Sequence, residues 1–283
     1  MKILITGANG MVAQATRKHC LSLGDDVASL TREQLDIADK RSVVNLLENE
    51  RYDSVINCAA WTDVDGCETN REKNYAANAR GVENLAIGCR TVGANLITIS
   101  TDFVFDGAKS GFYNQRDDPN PASEYGRAKL EGERLAQAAL ARTIIIRVGW
   151  IYGPNGRNFL SKVVEKLLNG EAVKAISDSF GTPTYAPDLA KRLRELALLD
   201  LPGIYHVANA GEGTSHAGFA RAILPDSGLV EDISSETLNR PAPRPQNSRL
   251  GCLLSEAIGL EPLRPWEEAL HEFVEMNLAG LKG

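Results

Sequence analysis

Lys2-Ile3-Leu4-Ile5-Thr6-Gly7-Ala8-Asn9-Gly10-Met11-Val12-Ala13 passes from a short apolar strand, through two glycines, into a segment of helical period. Gly7 permits a tight turn, and Gly10 lets the backbone approach a pyrophosphate. Small Ala13 lets the helix pack close to a sheet, while the helix N-terminus offers amide donors and the positive end of its dipole. Glycines crowd into turns of every kind, so G-x-x-G-x-x-A is a weak pattern by itself. Its place between a strand and a helix is the context that a dinucleotide loop requires. Gly7, Asn9, Gly10, Met11 and Val12 are therefore predicted to hold a dinucleotide cofactor.

Outward from that loop, apolar runs at 26–30, 54–58, 95–100 and 143–148 have strand length. Stretches of helical period at 11–23, 41–49, 71–92 and 124–141 alternate with them. Gly24 and Gly93 serve as stop signals. Strand and helix in regular succession imply parallel pairing with right-handed crossovers. The predicted fold class is α/β, a doubly wound parallel sheet of Rossmann type with a smaller C-terminal substrate-binding lobe. Residues 1–150 form the expected dinucleotide-binding domain. Residues 151–283 form mainly the lobe, with a segment near 178–208 returning to the sheet domain. Arg240-Pro241-Ala242-Pro243-Arg244-Pro245 is too short for an interdomain linker and reads as an extended loop.

The 283 residues carry a net charge of −6, with 43% hydrophobic and 24% charged side chains. That is an ordinary globular balance. A broad nucleic-acid footprint needs a basic surface to release counterions, so no nucleic-acid partner is expected. No stretch approaches the roughly 20 apolar residues that span a bilayer, and residues 2–6 are too few for a signal h-region. A soluble, cytoplasmic protein without a membrane partner is expected. Cys20, Cys58, Cys67, Cys89 and Cys252 lack CxxC spacing and read as reduced thiols. His19, His206, His216 and His271 are scattered without ligand spacing, so no metal site is predicted.

The second strand ends in Ser29-Leu30-Thr31-Arg32 rather than in an acid. An acid there would bond the adenosine ribose hydroxyls of NAD, whereas Thr31 and Arg32 suit a 2′-phosphate. NADPH is the expected cofactor, with NADH as the alternative. Asp36 and Ile37 lie near enough in sequence to cover the adenine edge. After the third strand, Ala59, Ala60 and Thr62 supply small residues where a cofactor crosses the carboxyl edge of the sheet.

Tyr125-Gly126-Arg127-Ala128-Lys129 is a Y-x-x-x-K pattern on a helical segment, and its spacing puts both side chains on one face. A tyrosine of ordinary pKa near 10 needs a neighbouring cation to exchange protons near neutrality. Lys129 can supply that charge and also hold the nicotinamide ribose. Upstream, the fourth strand ends in Ser100-Thr101-Asp102, where Thr101 can donate a hydrogen bond to a substrate carbonyl. Phosphate loop, strand-end hydroxyl, then Tyr and Lys converge on one crevice.

With these residues the chain resembles the extended short-chain dehydrogenase/reductases, and within them the dTDP-4-dehydrorhamnose reductase family. The most specific stretches are Ser100-Thr101-Asp102-Phe103-Val104-Phe105-Asp106-Gly107 and Arg147-Val148-Gly149-Trp150-Ile151-Tyr152-Gly153. Further matches are Asn57-Cys58-Ala59-Ala60-Trp61-Thr62, Asn78, Gly181-Thr182-Pro183-Thr184-Tyr185 and Leu263-Arg264-Pro265-Trp266. The resemblance implies NADPH-dependent reduction of the 4-keto group of dTDP-4-dehydro-L-rhamnose. Tyr125 would be the proton donor, Lys129 its electrostatic partner and Thr101 the carbonyl binder, with Asn78 on the cofactor side. Asp102, Phe103, Trp150, Asn158, Arg244 and Ser248 would serve the substrate. Members of that family often carry Tyr where this chain has Phe103, and Gly where it has Ala13.

Trp150 has a second reading as core, and Arg244, Asn247, Ser248 and Arg249 have one as a solvated basic loop. Asp63 and Asp65 read as loop caps. Some relatives dimerise through bound magnesium; the sequence offers no evident carboxylate cage, and a homodimer stays open. A related dehydratase would need a second acid after Asp102, where Phe103 stands. Another nucleotide-sugar ketoreductase, an epimerase that recycles bound NAD, or a non-catalytic NADP-binding regulatory subunit are the alternatives.

Overall fold

Successive residues of a strand face opposite sides of its sheet, and along residues 2–6 both sides are apolar. Ile3 and Ile5 enter one core with Ile56, Ile97, Ile144 and Ile146, whereas Leu4 enters another with Val55 and Leu96. Strands apolar on both faces must be sandwiched between helices. The structure, a computed structural model, describes residues 1–225 and 227–281 and contains that sandwich.

In chain order come β1 (Lys2–Thr6), α1 (Met11–Ser22), β2 (Asp26–Leu30), α2 (Lys40–Glu50), β3 (Ser54–Asn57), α3 (Val64–Thr69) and α4 (Arg71–Tyr75). A π-turn at Ala76–Arg80 leads into α5 (Gly81–Val92), followed by β4 (Asn95–Thr101), α6 (Glu124–Ala139) and β5 (Thr143–Val148). The remainder is β6 (Ile151–Tyr152), α7 (Phe159–Leu168), β7 (Val173–Ile176), β8 (Phe180–Gly181), β9 (Thr184–Tyr185), α8 (Ala186–Leu199) and β10 (Gly203–His206). It closes with β11 (Thr214–Ser215), α9 (His216–Ile223), β12 (Val230–Ile233), α10 (Leu253–Ala257) and α11 (Trp266–Leu281).

The central sheet runs β2-β1-β3-β4-β5-β10, parallel throughout. Ala13 of α1 and Leu189, Leu193 and Leu196 of α8 cover one face. Val43 and Leu47 of α2, with Val82 and Leu85 of α5, cover the other. The expected α/β doubly wound sheet is what the chain forms. Its order reverses between β1 and β3, and at such a switch point a crevice opens beyond the carboxyl ends of the strands.

A separate core of Tyr152, Leu160, Val164, Tyr185, Phe219 and Phe273 holds α7, α9 and α11 together. Of the segment near 178–208, α8 and β10 join the sheet domain. Phe180–Gly181 and Thr184–Tyr185 pair instead with β11 and β6. Leu254, Leu260 and Leu263 also pack on the sheet's core, a second return of the chain that no periodicity announces.

The helix expected over 71–92 forms over that whole span and contains the π-turn within it. Gly132 of α6 crosses there so closely that a side chain at that position would strike the Asn78 carbonyl. The wider turn carries Asn78 toward the loop after β3. π-turns of this kind concentrate at functional sites. Among the described residues no helix is long and apolar enough to cross a membrane.

Candidate active site

A cleft of about 740 Å³ lies along the carboxyl edge of the sheet, between it and the lobe. Its floor begins at the glycine loop. Gly7 has φ +72°, and a Cβ there would stand 2.9 Å from both Cα and N of Ala59. Gly10 precedes α1 without any side-chain cap, leaving the first amides of that helix to a ligand. Gly7, Gly10, Met11 and Val12 all line the cleft. Asn9 does not; its carbonyl accepts from Gln14 Nε2 at 3.2 Å.

Where β2 ends, Arg32, Asp36 and Ile37 line the cleft and Thr31 does not. Arg32 donates to Asp36 Oδ2 from Nε at 3.2 Å and from Nη2 at 3.1 Å. The cation expected for a 2′-phosphate is thus held on an acid that would repel the same phosphate. Beyond β3, Ala59, Ala60 and Thr62 line the cleft as expected of small residues there. That loop is fixed by Asn78, whose Oδ1 accepts from Trp61 N at 3.0 Å and whose Nδ2 donates to Trp61 O at 2.9 Å. Asn78, expected on the cofactor side, is fully buried, turned onto the loop backbone and outside the cleft lining.

Thr101 closes β4 and caps a short 3₁₀ turn, accepting from Phe103 N at 3.2 Å and donating to Asp102 Oδ1 at 3.0 Å. Ser123 caps α6 by accepting from Gly126 N at 3.1 Å, which starts the helix one residue before Tyr125. Tyr125 and Lys129 then project into the cleft beside Thr101. Phe103 meets Tyr125 edge-on, with ring centroids 5.9 Å apart. Lys129 Nζ donates to the Ile99 carbonyl at 2.6 Å.

Burial sets the charges of this group. It pushes the Asp102 carboxyl up to about 6, with the Ser248 and Thr101 hydroxyls acting in the opposite sense. Among the described residues, Asp102 Oδ2 has no well-formed hydrogen bond. Burial, then the nearby Asp102 charge, raises the Tyr125 phenol, while Thr101 lowers it. Burial brings the Lys129 ammonium down to about 8, opposed first by Glu133. Burial thus makes the Tyr125 phenol keep its proton more tightly and the Lys129 ammonium release its own more readily.

Trp150 and Asn158 reach the cleft from the lobe. Trp150 has φ +51°, a left-handed conformation that few bulky residues adopt. Its indole lies against Gly181 on one side and His216 on the other, the His216 centroid 4.0 Å away. Trp150 therefore both packs within the lobe and lines the cleft. Asn158 spends its side chain on structure, accepting from Ser161 N at 3.0 Å to cap α7 and donating to Ile151 O at 2.6 Å.

Arg244 and Ser248 lie outside the lining. Arg244 forms a fork with Asp65 at 3.0 and 2.9 Å, which its guanidinium would have to share or give up to meet a nucleotide. Asp65 is accordingly an ion-pair partner, while Asp63 does cap, accepting from Gly66 N at 3.0 Å. One further cation of the lining, Lys73, carries no reading in the sequence. Lys73 stands 4.2 Å above the Trp61 ring, and Arg157 adjoins Asn158.

A doubly wound sheet with a glycine loop after its first strand, and Thr101, Tyr125 and Lys129 on one cleft, defines a nicotinamide-dependent oxidoreductase of the short-chain dehydrogenase/reductase class. Residues 1–278 match the model of the RmlD substrate binding domain, and the chain belongs to that family. It is 39% identical over 280 residues to a dTDP-4-dehydrorhamnose reductase of Mycobacterium tuberculosis, covering 95% of this chain and 91% of that one. A solved dTDP-4-dehydrorhamnose reductase from Clostridium acetobutylicum superposes with a TM-score of 0.92 at 35% identity, over 98% of this chain and 99% of that one. The Bacillus anthracis dTDP-4-dehydrorhamnose reductase in complex with NADP gives 0.91 at 32% identity, over 96% and 99% of the two chains.

Proposed function

We propose that the chain reduces the 4-keto group of dTDP-4-dehydro-L-rhamnose with NADPH, yielding dTDP-L-rhamnose. The observation that carries this is the convergence of Thr101, Tyr125 and Lys129 on the cleft that the glycine loop opens. The loop fits a dinucleotide: Gly7 leaves no room for a Cβ, and the first amides of α1 are uncapped. Bound NADPH supplies the hydride for the keto carbon.

The protein's own residues handle the oxygen. Thr101 fixes the carbonyl, and Tyr125 gives it the phenolic proton, so that a hydroxyl forms instead of an exposed alkoxide. Lys129, as ammonium, favours the phenolate left on Tyr125 and relays a proton back to it. Trp150 walls the sugar end, and Arg157 is the cation of the lining on the lobe side for a nucleoside diphosphate. The cytoplasm, where reduced nicotinamides are available, is the compartment this chemistry implies.

Following NADPH oxidation with the dTDP-linked 4-keto sugar generated in situ tests the assignment. Sugar-dependent oxidation, faster with NADPH than with NADH, is expected. NADPH binding without any sugar-dependent oxidation would move the chain to another keto sugar or to a regulatory role.

A further inference from the structure

Glu133 lies one helical turn beyond Lys129 on α6 and is 3% exposed. It accepts from Arg147 Nε at 3.0 Å and from Arg147 Nη2 at 2.7 Å, and the Ser100 hydroxyl donates to its Oε1. Ser100 and Arg147 are register partners on β4 and β5. Arg147 is 4% exposed, with its guanidinium 5.3 Å from the Phe105 ring. Lys129 meanwhile holds the carbonyl of Ile99, the residue before Ser100. Two consecutive residues of β4 therefore grip two consecutive turns of α6, immediately before Thr101.

We propose that Glu133 is a positioning residue for the reaction: with Ser100 and Arg147 it locks α6 to β4, and its carboxylate keeps Lys129 in the ammonium form. This rests on the role given above to Lys129. A buried ion pair is a poor stability device, because well-packed apolar residues often serve as well. Its place behind the two reacting side chains gives it a different use. The groups facing Lys129 are Glu133 from its own helix, Tyr125 one turn back, Cys58 from the end of β3 and the Ile99 carbonyl from β4, with Arg147 behind Glu133. Burial disfavours the ammonium, and Glu133 is the foremost group opposing it. Lys129 works while protonated, so its contribution is present below its pKa and lost above it. Removing Glu133 lowers that pKa and brings the loss to a lower pH.

The test uses the full chain without cofactor, its lysines labelled with ¹³C at Cε, titrated by NMR and assigned with K129R. In E133Q the Lys129 midpoint is expected to fall by about one unit, a tenfold change in the proton equilibrium. The double variant E133M/R147M replaces the ion pair with apolar volume and is expected to move the midpoint in the same direction; it decides the matter should E133Q not fold. S100A removes only the tether and leaves the midpoint in place. An unmoved Lys129 midpoint in folded E133Q, or in the double variant, overturns the proposal. In kinetics the alkaline limb of kcat follows the midpoint. A shifted midpoint with an unshifted limb would keep the Glu133–Lys129 coupling and overturn the role of Lys129 in turnover.

Discussion

Gly7 and Ala59 touch backbone to backbone across the switch point of the sheet, so closely that a Cβ on Gly7 would stand 2.9 Å from the Ala59 Cα. One residue follows β1 and the other follows β3, and the cofactor cleft opens from their junction. The φ of +72° at Gly7 adds about 1–2 kcal/mol of strain for any L side chain. Gly7→Ala must therefore push the two loops apart. NADPH affinity, read by fluorescence titration, is expected to fall at least about tenfold with a lowered melting temperature. Unchanged affinity would mean that the loops part without cost.

Arg32 and Asp36 form an exposed pair, the arginine side chain 69% accessible, at the edge where adenosine is expected. The pair is a small stability term, so substitutions there read out recognition. Arg32→Ala removes a charge-assisted contact and is expected to weaken NADPH about tenfold while sparing NADH. Asp36→Asn keeps an acceptor for the Ala38 amide, removes the competing charge and frees the guanidinium. Its NADPH to NADH preference should rise. Equal effects on both cofactors would remove Arg32 from the 2′-phosphate.

The sheet was legible because buried parallel strands are apolar without interruption and their helices carry clear stops, as Gly93 does. Thr101, Tyr125 and Lys129 were legible for a related reason: each sits at a fixed place on an element that pattern alone predicts. What the sequence hid depends on contacts between distant segments. The π-turn answers the close passage of Gly132, and Asn78 turns with it onto the Trp61 backbone. Arg244 finds Asp65 across 179 positions, and no local period encodes that pairing. Its guanidinium could be recognised as a useful cation, but not as one already engaged.

The Asp65–Arg244 fork ties the proline-rich loop to α3 at the rim of the cleft. Its carboxyl is held below the usual range, chiefly by the hydrogen bonds from Arg244. Partial exposure of both side chains limits the pair to about 0.2–1 kcal/mol of stability. If the fork's task is to hold the loop, Arg244→Ala and Asp65→Ala raise the KM for the keto sugar alike, by a few fold. The double variant then does no worse than either single one. A large loss from Arg244→Ala alone, with Asp65→Ala nearly silent, would show the guanidinium on the nucleotide instead.

Asp102 is a buried carboxyl with no well-formed bond to Oδ2 among the described residues, and burial sets it near 6, against an ordinary value of 3.8. Its folded pKa is raised, so the folded chain binds the proton more tightly than the unfolded chain between those values. Stability therefore declines as pH climbs from about 4 to 6, and the ionised carboxylate costs on the order of 2–3 kcal/mol at neutrality. Such a cost persists where the group has a use, and Asp102 adjoins the Thr101 hydroxyl and raises the Tyr125 phenol. Asp102→Asn removes the titration and keeps the shape. Relative to the parent, the variant is expected to gain stability steadily from pH 4 to pH 7 in urea unfolding, and to lose turnover throughout. A stability difference independent of pH would place the carboxyl at its ordinary value, ionised at little cost, and the trade between stability and activity at this position would vanish with it.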